Sequence, residues 1–104
     1  MAEEWRSAED IIILPCSGAS NCGQIANRVA ASLDIIGAGQ MYCLAGIGAH
    51  IDGMVESAKG TKRILALDGC SVSCAKKVVE HAGLKLTDWI CVTGQGVDKE
   101  HDFL

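Results

Sequence analysis

Six cysteines stand in a chain of 104 residues, at positions 16, 22, 43, 70, 74 and 91. Ionised thiols bind soft metal ions, attack electrophiles and exchange disulfides, so these residues carry most of the chain's chemical potential. Cys70 and Cys74 are four apart; if both are helical they share one face of a first turn and form a two-ligand clamp. Zinc takes about four such ligands in a tetrahedron at Zn–S distances of roughly 2.3 Å, and thiolates from separate loops can supply them. Taken alone the pair equally describes two small buried residues beside a strand, so its meaning depends on whether other thiols reach the same place.

The elements decide that. Ile11-Ile12-Ile13-Leu14 is a continuous β-branched run ending at Pro15-Cys16-Ser17-Gly18 and reads as a strand buried on both faces. From Gln24, Ile25, Val29 and Leu33 recur every four residues, marking an amphipathic helix that Ser20 or Asn21 can cap and that ends before Gly37-Ala38-Gly39. Met41–Ala45 reads as a second strand, Gly46-Ile47-Gly48 as a loop, and Ile51, Met54, Val55 and Ala58 as one face of a helix ended by Gly60. Arg63–Asp68 is a third strand. Gly69-Cys70 opens a third helix with Cys74, Val78, Val79 and Ala82 inward and Gly83 as its C-terminal cap. Trp89–Thr93 is a fourth strand, and the charged tail Asp98–Asp102 is expected to fray.

Strands alternating with single helices predict one α/β domain over residues 1–104, a small three-layer, Rossmann-like sandwich with a four-stranded, mainly parallel sheet. Ligands of such sheets bind beyond the carboxyl ends of the strands. Cys16, Cys22, Cys70 and Cys74 fall on that edge, and Cys43 joins them if its strand ends there. Cys91 follows Ile90 inside a strand and reads as core.

Three segments, Pro15-Cys16-Ser17-Gly18, Cys43-Leu44-Ala45-Gly46 and Asp68-Gly69-Cys70 followed by Cys74, resemble the DGC-domain proteins, a family named for its Asp-Gly-Cys motif. The resemblance runs from the first strand to the fourth. It implies a zinc-binding protein whose chelating cysteines map onto Cys16, Cys43, Cys70 and Cys74, with Cys22 outside the motifs, and it specifies no substrate or reaction.

Secretion would turn six cysteines into a disulfide framework. Met1-Ala2-Glu3-Glu4-Trp5-Arg6 lacks a basic-then-apolar leader pattern, and at 49% hydrophobic residues the chain can build a core without covalent staples, so a cytoplasmic location is expected. No apolar run approaches the roughly 20 residues of a membrane span. A net charge of −4 argues against nucleic acid, and the basic pairs Lys62-Arg63 and Lys76-Lys77 read as solvated ends of elements. A metal ion is thus the expected partner, and no protein partner is specified. His50 suits a ligand or proton carrier, although a lone surface histidine is the plainer reading. Asp68 could orient a ligand or cap the third helix.

The rival function is a thiol-based redox or transfer enzyme using Cys70 with Cys74, or Cys16. The loop from Cys16 to Cys22 superficially resembles that of cysteine-dependent phosphatases, but it holds no arginine to neutralise an oxyanion, which disfavours phosphoryl transfer. It also lacks the Lys-Ser/Thr of a P-loop and reads as a tight turn. A third class is an interaction module, with the glycine-rich segment Ala45–Ala49 bending to receive a partner.

Overall fold

The computed structural model describes residues 11–101. Strand β1 (Ile11–Pro15) forms where expected, because its apolar run can bury side chains on both faces of a sheet. It pairs in parallel with β2 (Gln40–Met41) on one side and β3 (Arg63–Asp68) on the other, and β3 pairs in parallel with β4 (Asp88–Cys91). The order β2-β1-β3-β4 makes a four-stranded, all-parallel sheet.

The period of two divides the sheet's side chains between two cores. Ile12, Leu14 and Ile64 point to one face, where Ile47, Ala58, Val79 and Leu84 cover them. Ile13 and Leu67 point to the other, against Cys22, Ala26, Ala30 and Val92. Helix α1 (Asn21–Ile35) therefore lies on one face, and α2 (Leu44–Gly48), α3 (Asp52–Lys59) and α4 (Cys74–His81) supply the other. This is the expected three-layer arrangement.

Three helix ends follow the local rules residue by residue. Ser20 caps α1, its Oγ accepting from the Gly23 N–H at 3.1 Å. Gly37 at φ 81° and Gly83 at φ 77° stop α1 and α4. Each sits in paired closing bonds: Ala38 N–H to Leu33 O and Gly37 N–H to Asp34 O in one, Leu84 N–H to Val79 O and Gly83 N–H to Glu80 O in the other.

Four expectations are corrected. The second strand ends at Met41 rather than Ala45, because the chain leaves the sheet after the Tyr42 N–H to Ile13 O bond and Cys43 caps α2, which occupies the segment expected to be a loop. The third helix opens at Cys74 rather than Gly69-Cys70. Cys70 to Ser73 is instead a turn closed by the Ser73 N–H to Cys70 O bond, with Ser73 in the left-handed region at φ 62°. The fourth strand stops at Cys91, and a 3-10 turn over Thr93–Gln95 follows. The tail does not fray through residue 101: the Asn21 N–H donates to Glu100 O, Asn21 Nδ2 to Asp98 O, and the Glu100 N–H to Asn21 Oδ1. Asp102 lies outside the described residues.

Candidate metal centre

In the order β2-β1-β3-β4 the chain leaves β1 toward one side of the sheet and returns on the other, so loops diverge between β1 and β3 and leave a crevice at their carboxyl ends. Cys16 leaves β1 at this point, its N–H bonded to Leu67 O of β3 at 2.8 Å. Cys70 leaves β3 beside it. Two glycines allow the loops to touch: a Cβ on Gly23 would stand 2.6 Å from Gly18 O, and one on Gly69 would stand 2.6 Å from Gly23 N. Any side chain at either position would push the thiol-bearing segments apart.

Asp68 fixes the next residues. Strand alternation turns it toward α4, where it is 1% exposed and its carboxylate accepts from the Ala75 N–H at 2.7 Å, the Lys76 N–H at 3.1 Å and Trp89 Nε1 at 2.8 Å. Ser73 is the residue before α4 but makes no side-chain cap bond, so the helix is capped from the end of β3. Of the two roles expected for Asp68, the structure shows the cap.

The thiols fall into two neighbourhoods that share Cys70. The Cys74 thiol is pushed up from its ordinary pKa by partial desolvation, then by the nearby charges of Cys16, Asp68 and Cys70. Cys22 is fully buried and is pushed up by burial first, then by Cys70 and Cys91. Cys16 and Cys70 are half-buried and Cys74 is exposed. Lys99 Nζ lies 3.4 Å from Cys70 Sγ and brings a positive charge to this edge.

Cys43 stands apart. It is exposed, and its Sγ accepts from the Gly46 N–H at 3.3 Å. Between it and the segment carrying Cys16 is a cleft of about 410 Å³ lined by Pro15, Ser17, Asn27, Met41, Cys43 and Val78. Cys70 and Cys74 do not share a helical face, since only Cys74 is helical. Among the described residues, no three His, Cys, Asp or Glu side chains converge tightly enough to hold an ion.

Sequence reasoning missed the place of Cys91. It is the last residue of β4, level with Asp68 in the parallel register, half-buried, with Sγ 3.2 Å from Thr93 Oγ1. The glycine pair Gly94 and Gly96 just beyond it was the available signal that the strand ends there. His50 is not alone either: its Nε2 lies 3.1 Å from His81 Nδ1, on the far end of α4 from Cys74.

No helix among the described residues is long and apolar enough to cross a membrane. No solved structure matches the chain closely enough to be counted a relative. Among curated proteins it is similar to the "Anaerobic and virulence modulator AnvM" of Pseudomonas aeruginosa, 34% identical over 98 residues that cover 92% of this chain and 75% of the relative. The family model for the DGC domain matches residues 12–104, a span that holds the Asp68-Gly69-Cys70 cap and loop and all six thiols, and the chain belongs to the DGC-domain family.

Proposed function

We propose that this chain is a zinc-binding protein whose metal site is a set of cysteine thiolates, Cys16, Cys43, Cys70 and Cys74, at the carboxyl edge of the parallel sheet. The observation that carries this reading is that Cys16 and Cys70 follow β1 and β3, which pair side by side, and that both lie close enough to Cys74 to help hold its proton on. Thiolates gathered at one edge repel, Lys99 brings a single positive charge there, beside Cys70, and a divalent soft-ligand ion would relieve the rest. The donor chemistry therefore fits zinc, and the fourth ligand is a matter of closure. Cys43 lines a cleft that Pro15 and Ser17, the chain neighbours of Cys16, also line, so the two segments border the same open space.

Six free cysteines belong in a reducing compartment, which supports a cytoplasmic location. Zinc in this site holds the sheet edge together, and a vacant fourth position would leave it open to an incoming ligand. Protein purified in reductant and without chelator should carry about one zinc per chain by elemental analysis. Cys16→Ser, Cys70→Ser and Cys74→Ser should each lower that content, and Cys22→Ser should keep it. A content far below one in the fully reduced wild type overturns the reading.

A second reading, thiol redox or transfer chemistry at Cys70, is favoured by one observation, the Lys99 ammonium 3.4 Å from its sulfur. Such chemistry passes through an anionic sulfur, and an ammonium at that distance can pair with it. The name of the Pseudomonas relative, an anaerobic and virulence modulator, is compatible with either reading.

A further inference from the structure

His50 and His81 are separated by 31 positions in sequence, yet their rings meet edge to face at 85° with centroids 5.1 Å apart and with Nε2 of one 3.1 Å from Nδ1 of the other. Two nitrogens bound cis to one ion at about 2.0–2.1 Å stand about 2.9–3.4 Å apart in square, octahedral or tetrahedral geometry. The observed spacing lies within that bite. We propose that His50 and His81 form a second metal site, a two-imidazole chelate for a late first-row divalent cation of the Ni2+, Cu2+ or Zn2+ type, separate from the thiolate edge.

Three features support it. His50 is held in the left-handed region at φ 57°, a conformation few side chains adopt, and its N–H bonds to Ile47 O at 3.0 Å, so the turn after α2 fixes the ring's origin. Its partner is fixed as well, because His81 ends α4 and α2 packs on that helix, Gly48 lying against Val78. Both histidines are exposed, so water can fill the remaining coordination positions. In the free pair one ring N–H donates to the other ring's lone pair; moving that proton to the far nitrogen of its own ring leaves a lone pair on each facing nitrogen, and turning the rings so that both aim off the N–N line toward one point lets them share an ion, with no net change in protons. Cys74 and His81 lie at opposite ends of α4, about 10 Å apart along its axis, so this is not an extension of the thiolate site.

Titration of the reduced wild-type chain with Ni2+, followed together by calorimetry and by near-ultraviolet absorption, tests the proposal. Thiolate binding produces a sulfur-to-nickel charge-transfer band; imidazole binding produces heat without it. The expected result is one such band-free event per chain. It should weaken at least about tenfold in His50→Asn, which keeps a residue tolerant of the left-handed backbone, and in His81→Gln, and be lost in the double variant, as for two arms of one chelate. The proposal is overturned if the band-free event is missing from the wild type, if it persists unchanged in either folded variant, or if only one of the two histidines affects it. None of these outcomes depends on whether the thiolate site binds zinc.

Discussion

Cys22 is a thiol that the fold has removed from water, in the first turn of α1 and beneath the Gly69 loop, and its ionisation is opposed by burial before any neighbour is considered. The sign of the consequence follows from linkage. Below its ordinary value of 9.0 both the native and the unfolded chain keep the proton and nothing is lost; above it the unfolded chain ionises while the native chain holds its proton, so stability falls as pH rises. Thermal midpoints of the metal-free, reduced protein measured from about pH 7 to pH 10 should fall more steeply in the wild type than in Cys22→Ala. The variant starts lower, because a small buried volume is emptied, but its curve should be flatter. Parallel curves for the two proteins would contradict this account of Cys22.

At the scale of elements, Asp68 joins three of them, since a carboxylate at the end of β3 accepts from the backbone of α4 and the indole of β4. Asp68→Asn keeps the shape but offers one oxygen acceptor in place of two and turns an amide N–H toward donors. It should cost about 1–3 kcal/mol in urea denaturation, the range for a buried donor left without its partner. An effect within experimental error would show that the cap is dispensable. The same residue explains where sequence reading stopped. The runs Ile11–Leu14 and Arg63–Asp68 were legible as strands because buried parallel strands are continuously apolar, and Ser20, Gly37 and Gly83 were legible as helix ends because their bonds are local. The start of α4 was not, because its acceptor lies in another element rather than at the preceding residue. Helix α2 has five residues, too few to display a period, and its cap is a cysteine rather than a usual capping residue. The tail's bonds to Asn21 span nearly the whole chain, which local composition cannot report.

Across the whole molecule, the proposed ligands belong to segments that the strand order sets side by side: Cys43 follows β2, Cys16 follows β1, and Cys70 and Cys74 follow β3. An ion bound to all four would tie three adjacent strands at one edge, joining parts of the chain that otherwise meet mainly through the central sheet. Binding that favours only the folded state adds about 2.7 kcal/mol when free zinc is a hundredfold above its dissociation constant. For a domain of this size that raises the thermal midpoint by roughly 10–20 °C. Cys43→Ser separates this contribution from the thiol's other task, because serine is itself a good helix cap and can take over the bond to the Gly46 N–H. Without metal, the variant and the wild type should therefore melt within a few degrees of each other, as exposed substitutions that keep their hydrogen bond usually do. With zinc added, the wild type should gain most of the rise and the variant little of it. Equal gains in the two proteins would remove Cys43 from the ligand set and leave the other three thiolates with an open position, whereas no gain in either would remove the metal from the edge altogether.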